Sequence, residues 1–325
     1  MKRLLSGVLT AATLAVGAQA ALAETTIKLG HVTQHSHPFH IGAEMYQQEV
    51  KERSNGDLNI KIYPARQLGD DKQLIEGVRL GTVDAAIISS AVFSGFTPVM
   101  DALQLPFLIE SYDDLSKALT SQAAFDMLDS LEELGLKGLG YYEGGLRNLL
   151  VSDHAVSGLE GMKGLKIRVV PAPLHLDIWK AIGASPTPMA YGEIYTSLQT
   201  GVLDGAEINI TSVYSEKLYE VAKHMTRSKH YFWPGVMVIN PRFFDRLSEE
   251  QQKILIDAAH ETIGRQVAAA EEQEVVAEKA LIEAGFEIHE VSSSAELKEA
   301  VQPVVNDYAA KHPLIKAFVE QVESQ

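Results

Sequence analysis

A six-residue phrase occurs twice in this chain and constrains the fold more than any other feature. Gly-x-(Val/Leu)-Asp-(Gly/Ala)-Ala begins at Gly81 in VRLGTVDAA and again 120 residues later at Gly201 in LQTGVLDGA. The glycine ends a helix, the aspartate begins a turn, and the apolar run that follows is typical of a buried strand. The repeat predicts two α/β lobes of one design with a cleft between them. The alternative is that such joints recur in any α/β protein.

Alternating helix and strand patterns surround both copies of the phrase. Around the first copy the patterns predict strands over 26–30, 58–63 and 83–88 and helices over 41–53 and 70–80. Around the second they predict a strand over 166–170, an extended segment over 186–189 and helices over 173–182 and 194–199, and residues 202–206 lead into a further strand. The strand–helix–strand order favours parallel strands with right-handed crossovers, which is the α/β class.

A long helical segment follows the second lobe pattern. Ser248 and the acidic residues after it are a helix start signal, and the segment continues to about Ala284. At ~1.5 Å per residue the helix would be roughly 50 Å long, so it is expected to cross both lobes or to bend near Gly264. One or two short helices are expected from Pro303 onward.

The N terminus has the pattern of an export signal. Lys2 and Arg3 precede a short apolar run that ends in Ala21-Leu22-Ala23, which predicts cleavage before Glu24 and a periplasmic location; the alternative is a retained membrane anchor. Removing residues 1–23 takes the net charge from −15 to −17 over the remaining 302 residues. Such an acidic exported chain is a poor partner for nucleic acid, and no later apolar run predicts a membrane-embedded segment.

The composition excludes several chemistries. With no cysteine, the chain has no disulfide, thiolate nucleophile or cysteine-based metal site. It carries neither a Gly-x-Ser-x-Gly elbow nor a phosphate-binding loop. The glycines of GLGYYEG, from Gly138 to Gly144, miss the dinucleotide fingerprint by one residue and are interpreted as a turn. We expect no catalytic centre and no cofactor.

Two arginines are candidates for binding an anion. Arg168 lies in the strand pattern LKIRVV, where its apolar neighbours predict burial, and Arg147 lies in GGLRNLL. A buried guanidinium stays charged and is costly without a partner. Each arginine therefore pairs either with an internal carboxylate or with the carboxylate of a ligand, which it can hold through two parallel hydrogen bonds.

Other candidates are weaker. Glu207, Asn209 and Thr211 would share one face by strand alternation and could meet ligand hydroxyls. Tyr191 and Trp233 could each form an aromatic wall or pack in the protein interior. The histidines at 31, 35, 37 and 40 form a dense group that could bind metal, donate to a ligand at the cleft or lie solvated in a loop. The proline at 38 argues against a metal site, and we expect none.

Three segments carry a family resemblance. IYPARQLGDD, GLKIRV and GASPTPMAYGEIYTSLQTGVLDGAE resemble the solute receptors of tripartite ATP-independent periplasmic (TRAP) transporters, and the similarity extends over essentially the whole mature chain. The resemblance implies a two-lobed periplasmic binding protein with a long helix crossing both lobes. It also implies a small organic acid as ligand and a membrane partner with a small and a large subunit.

The resemblance also implies roles for individual residues. Arg168 would pair with the ligand carboxylate, Arg147 would assist it, and Tyr191 would cover the ligand. The carboxylates of QLGDD, Asp70 and Asp71, would lie near the cleft.

Two features depart from the family pattern. Many members have asparagine directly after the acid of the D-G-x-E segment, whereas this chain has Ile208 there and Asn209 one place later. Ser89 replaces a glutamate of the sialic-acid receptors, which argues against sialic acid as the ligand. His31 and Thr33 flank a place where those receptors use asparagine.

The sequence therefore predicts a receptor for a C4-dicarboxylate, a uronate or another sugar acid; the alternative is an exported two-lobed enzyme acting on an organic acid. Lobe I is expected over 24–147 and about 236–272, and lobe II over 148–235 and about 273–325.

Overall fold

The computed structural model describes residues 24–324. The predicted signal peptide, residues 1–23, lies outside the described residues. Within 24–324, no helix is both long enough and apolar enough to cross a membrane.

Ten strands and twelve α-helices form the described chain. The strands are β1 (Thr25–Gly30), β2 (Leu58–Tyr63), β3 (Ala85–Ser89), β4 (Lys137–Val151), β5 (Lys166–Val169), β6 (Ser185–Pro188), β7 (Gly205–Asn209), β8 (His224–Arg227), β9 (Phe232–Ile239) and β10 (Glu287–Glu290). The helices are α1 (Pro38–Arg53), α2 (Asp71–Leu80), α3 (Tyr112–Leu119), α4 (Gln122–Asp129), α5 (Leu159–Met162), α6 (Pro173–Ile182), α7 (Ile194–Gln199), α8 (Ile210–Ser215), α9 (Pro241–Phe244), α10 (Glu249–Glu283), α11 (Ser294–Ala309) and α12 (Pro313–Glu323).

Each half of the molecule contains a β-α-β-α-β unit. In the first half β1 pairs in parallel with β2 and β3, and in the second half β5 pairs in parallel with β6 and β7. The antiparallel strands β9 and β4 continue the sheet between these units, in the order β2-β1-β3-β9-β4-β7-β5-β6. The predicted α/β class with parallel crossovers is confirmed. The last strand of the second unit lies at Gly205–Asn209, where residues 202–206 were predicted to lead into a strand.

The repeated phrase has the same structural role in both halves. Its glycines follow a helix with φ of 79° and 69°. The Asp84 carboxylate accepts the backbone N–H of Lys28 at 2.9 Å, and the Asp204 carboxylate accepts that of Lys166 at 2.7 Å. Both lysines lie on the first strand of their unit. The aspartate therefore ties the turn before the last strand to the first strand, which explains why the chain contains the phrase twice.

Strand β4 corrects one sequence-based interpretation. The glycines interpreted as a turn at 138–140 lie inside this strand. A Cβ at Gly138 would approach Leu128 to 2.8 Å, and one at Gly140 would approach Ala259 to 3.3 Å. These glycines allow helices to pack closely on the strand, and they do not form a turn.

A β-bulge interrupts β4 between Glu143 and Leu146, where the strand passes from one half to the other. The Glu143 carboxylate accepts the backbone N–H groups of Gly145 at 2.6 Å and Trp233 at 3.0 Å. Burial raises the pKa of Glu143 to about 8, although these two hydrogen bonds oppose the rise. Glu143 is thus a buried acid at the junction of the two halves.

The long helix is confirmed. α10 contains 35 residues, which corresponds to roughly 52 Å, and it continues through Gly264. It packs on α1, α3 and β4, and also on α8 of the second half. Ser248 caps it by accepting the N–H of Gln251 at 3.2 Å.

The C-terminal helices differ in part from expectation. α11 begins at Ser294 and contains Pro303 in its interior, because Ser293 caps the helix well before the proline. α11 packs on α6, whereas α12 packs on α3 and α4. The last helix therefore returns to the first half of the molecule, and the predicted lobe boundaries stay a prediction.

Candidate functional site

A cavity of about 350 Å³ lies where the two β-α-β-α-β units meet. Asp70 and Asp71 line it from the first unit, and Arg168 and Tyr191 line it from the second. Its remaining lining residues are Lys72, Val92, Gly95, Phe96, Val170, Pro171 and Ala190. Three of the predicted ligand residues, Asp71, Arg168 and Tyr191, are thus brought together.

Local structure explains why these side chains converge. Asp70 is the N-cap of α2 and its backbone N–H binds the Gln73 side chain at 2.9 Å. Arg168 is the penultimate residue of β5, and Tyr191 follows the end of β6. The carboxyl ends of parallel strands meet at one edge of a sheet, which is where α/β proteins place ligands.

Arg168 is almost fully buried, with 2% of its surface exposed. Its Nε donates to the Met189 carbonyl at 3.0 Å, while Nη1 lies 3.7 Å from Glu207 Oε1 and has no hydrogen-bond partner. Burial lowers the pKa of Arg168 to about 10, Glu207 opposes that shift, and Arg147 adds to it. The guanidinium is therefore only partly compensated by the protein.

Arg147 lies deeper, on β4, and is not among the residues that line the cavity. Its Nη1 donates to the backbone carbonyl of Glu207 at 3.1 Å and lies 3.5 Å from Glu207 Oε2. The guanidinium stacks on the Trp233 ring at 4.4 Å from the centroid. Its Nε and Nη2 are buried and have no hydrogen-bond partner.

Glu207 is the carboxylate shared by both arginines. It is fully buried on β7, where Oε1 accepts the Val170 N–H at 3.2 Å and Oε2 accepts the Tyr231 hydroxyl at 3.1 Å. Burial alone would raise the pKa of Glu207, but Arg147, His175 and Arg168 together hold it well below its usual range. Two guanidinium groups thus share one carboxylate, which leaves one positive charge in excess.

The opposite wall of the cavity carries acceptors. Asp70 Oδ1 is buried and has no hydrogen-bond partner. Asp71 Oδ1 accepts the Ser89 backbone N–H at 3.2 Å. Burial raises the pKa of Asp71 to about 6, against the effect of that hydrogen bond. Asp71 is therefore predominantly ionised at pH 7, and Lys72 lines the same cavity.

Tyr191 lines the cavity and packs against the buried ring of Trp233. Tyr191 stacks on Trp233 with ring centroids 5.6 Å apart and an interplanar angle of 29°. The Trp233 indole N–H donates to Ser89 Oγ at 2.8 Å. Trp233 is itself buried beneath Tyr191, so it supports the cavity wall and does not line the cavity.

Asn209, Ser89 and His31 bond to other parts of the protein. Asn209 Nδ2 donates to the Gly144 carbonyl at 2.7 Å. The ring of His31 bonds to Thr33 Oγ1 at 3.1 Å and, through Nε2, to another histidine at 3.0 Å. None of the three predicted residues lines the cavity, and their contact with ligand stays a prediction.

Sequence reasoning missed His175 and Tyr231, which both reach Glu207. His175 Nδ1 lies 3.7 Å from Glu207 Oε1, and burial lowers the pKa of His175. Tyr231 reaches the site because its backbone carbonyl accepts the N–H of Arg147 at 2.8 Å between strands. Arg147 and Tyr231 are more than eighty positions apart, so no local sequence pattern predicts their pairing.

The arrangement can bind a small anion with hydroxyl groups. Arg168 offers donors on one side, and the two aspartates offer acceptors on the other. Among the described residues, the lining of this cavity includes no serine, threonine, cysteine or histidine.

Comparisons with known proteins agree with this chemistry. A family model described as bacterial extracellular solute-binding protein, family 7, matches residues 29–312. The 2,3-diketo-L-gulonate-binding periplasmic protein YiaO of Escherichia coli is 35% identical over 277 residues, which cover 85% of this chain and 84% of that protein.

Solved structures are similar over nearly the whole chain. A TRAP periplasmic solute binding protein from a Bradyrhizobium species, in complex with galacturonate, superposes with a TM-score of 0.88 and 30% identity, covering 93% of this chain and 100% of that one. The sugar acid binding protein of Advenella mimigardefordensis, in complex with galactonate, gives a TM-score of 0.87 and 28% identity, with 93% and 98% covered.

Proposed function

This chain belongs to family 7 of the bacterial extracellular solute-binding proteins, and from that membership we propose that it captures a sugar acid with a single carboxylate. It is a TRAP solute-binding receptor and not an enzyme. The family acts outside the cytoplasm, and we place the mature chain in the periplasm, where it would pass its ligand to the membrane subunits of a TRAP transporter.

The carboxylate of the ligand is assigned to Arg168. This guanidinium reaches the cavity with one nitrogen bonded to Met189 and Nη1 unpartnered. A carboxylate that accepts two parallel hydrogen bonds from the guanidinium would contribute about 1.5–3 kcal/mol for each bond. Arg147, held against Trp233, adds a second positive charge behind the first.

The hydroxyl groups of the ligand are assigned to the aspartates across the cavity. Asp70 Oδ1 lacks a donor, and the Asp71 carboxylate has a single hydrogen bond to backbone. Ionised carboxylates accept hydrogen bonds from hydroxyls but repel other carboxylates. This wall thus favours a hydroxylated chain or ring at the end of the ligand that lies away from Arg168.

Charge balance favours one carboxylate over two. Within the buried group of Arg147, Arg168 and Glu207 the excess is one positive charge, which one ligand carboxylate would offset. The other charged lining residues are Asp70, Asp71 and Lys72. A C4-dicarboxylate would bring its second charge towards the aspartates. The relatives agree in this respect, because 2,3-diketo-L-gulonate, galacturonate and galactonate each carry one carboxylate.

Binding and closure are coupled in this proposal. The ligand contacts come from both halves, so a closed cleft makes contacts that an open one lacks, and the ligand shifts the equilibrium towards closure by its differential affinity. Exclusion of water then strengthens the arginine–carboxylate attraction.

The observation that carries the proposal is that Arg168 and Asp70 line one cavity and that each has a buried polar atom, Nη1 and Oδ1 respectively, without a hydrogen-bond partner. The test is calorimetric titration of the mature protein with galacturonate, galactonate, succinate and galactose. We expect binding by at least one of the two sugar acids, at least about tenfold weaker binding by succinate, and none by galactose. Tight succinate binding with no sugar-acid binding would overturn the proposed ligand class, and catalytic turnover of a bound acid would overturn the receptor role.

A further inference from the structure

A second group of chemically active side chains lies away from the cleft, on the parallel pair of strands β8 and β10. His224 of β8 is paired in register with Glu287 of β10. His289 follows Glu287 by two residues, so strand alternation turns both side chains to the same face. The pairing therefore places two imidazoles and one carboxylate together on one face of the sheet.

Their distances suit a metal ion better than they suit hydrogen bonds. His224 Nδ1 lies 3.5 Å and His289 Nε2 lies 3.6 Å from the same oxygen, Glu287 Oε2. The three ligand atoms all lie within 4.8 Å of one another. The two ring nitrogens are buried atoms with no hydrogen-bond partner, although their side chains are partly exposed. Both nitrogens are thus directed at one carboxylate oxygen without bonding to it.

We propose that His224, Glu287 and His289 form a binding site for a divalent transition metal ion of the zinc class. Zinc binds imidazole nitrogen at about 2.0–2.1 Å and carboxylate oxygen at about 2.0–2.2 Å, which places tetrahedral ligands roughly 3.4 Å apart. Both distances to Glu287 Oε2 are within a few tenths of an ångström of that separation. Three protein ligands leave the fourth position for water.

The donor set selects the class of metal. Imidazole nitrogen suits zinc, copper and nickel, whereas magnesium and calcium require a shell of oxygen ligands. A single carboxylate with two imidazoles is therefore a poor magnesium or calcium site. None of the three residues lines the organic-acid cavity, so the metal would bind independently of the acid.

The position of the site gives a physical consequence. β10 begins four residues after α10 ends, and β8 leads through a short loop into β9. A bound ion would link the segment after the long helix to the second half of the molecule. Because metal binds the folded state in preference, it raises the melting temperature by mass action.

The experiment uses the mature protein without a polyhistidine tag. It is titrated calorimetrically with ZnCl₂ and, separately, with CoCl₂ while the visible absorption of cobalt is recorded. We expect one ion per chain, a cobalt spectrum of the intensity typical of tetrahedral sites and a higher melting temperature. Mutation of even the outer-shell partners of metal ligands typically lowers metal affinity about 10- to 100-fold. His224→Ala and Glu287→Gln remove proposed ligands, so each should weaken zinc binding at least about tenfold.

The matched control is His154→Ala, which removes an exposed histidine outside the cluster and should bind zinc like the wild type. His35→Ala tests the separate histidine group near α1 and should also leave zinc binding unchanged. Absence of zinc binding to the wild type would overturn the proposal. Equal affinities in wild type, His224→Ala and Glu287→Gln, or a loss confined to His35→Ala, would also overturn it. Thermal melts without metal establish that each variant is folded.

Discussion

Replacing Arg168 is the sharpest test of the binding mechanism. In Arg168→Met the apolar length of the side chain is retained and the guanidinium is lost. The ligand would lose two charge-assisted hydrogen bonds worth about 1.5–3 kcal/mol each, or about 3–6 kcal/mol together. This corresponds to a dissociation constant about 10²- to 10⁴-fold higher, because each 1.4 kcal/mol is a factor of ten.

The same substitution should leave the ligand-free protein folded. Burial already disfavours the charged form of Arg168, as its lowered pKa of about 10 indicates. Glu207 would retain Arg147 at 3.5 Å and its hydrogen bonds from Val170 and Tyr231. The free energy of unfolding of the empty protein should therefore change much less than the free energy of binding.

The assay is calorimetric titration with the sugar acid that binds the wild type, alongside urea unfolding of the empty protein. Arg168→Lys is the matched control, because it keeps the charge but cannot form two parallel hydrogen bonds, and its affinity should be intermediate. A dissociation constant for Arg168→Met within threefold of the wild type would refute the assignment of the carboxylate. Loss of folding in both variants would show that Arg168 is structural.

Three further substitutions test the surroundings. Glu207→Gln removes the carboxylate shared by the two arginines, so urea unfolding should show a loss of about 3–5 kcal/mol, and calorimetry should show weaker discrimination against succinate. Between pH 4.5 and about 8 the folded wild type holds a proton on Glu143 that the unfolded chain lacks, so the wild type loses stability as the pH rises. Glu143→Gln has no such proton, and its stability relative to the wild type should increase by about 1.4 kcal/mol per pH unit across that range. A difference in melting temperature between the two proteins that stays constant with pH would contradict this. Gly205→Ala would place a Cβ 2.2 Å from the Leu150 carbonyl oxygen and should lower the free energy of unfolding by about 3 kcal/mol, measured with urea. The control is Gly95→Ala, whose Cβ meets nothing within 4 Å, and it should lower the free energy of unfolding by less than about 1 kcal/mol. Equal losses in the two variants would contradict the clash.

Local sequence signals predicted the repeated units well. α6 runs from 173 to 182 and α7 from 194 to 199, as their apolar periodicity predicts, and the phrase at Gly81 and Gly201 follows helices in both halves. Arg168 could be identified because a charged residue lies between two apolar strand residues, Ile167 and Val169. In such cases the sequence signal and the structural feature that it predicts are close together in the sequence.

Long-range pairing could not be predicted in the same way. The sheet contacts of β4 and β9 depend on residues about ninety positions apart, and glycines inside β4 resemble turn residues until the helices that pack on them are known. The sharing of Glu207 by two arginines depends on another long-range pairing, that of β4 with β7. His175 and Tyr231 were missed for this reason.

The strand order has a consequence for how the protein is made. β3 lies between β1 and β9, so one of its edges stays uncovered until residues 232–239 have been synthesised. An uncovered strand edge can pair with other chains, and shortened versions that end before β9 should therefore aggregate. The final helix α12 also returns to α3 and α4. Residues 25–129 are therefore completed by two segments from much later in the chain, β9 and α12.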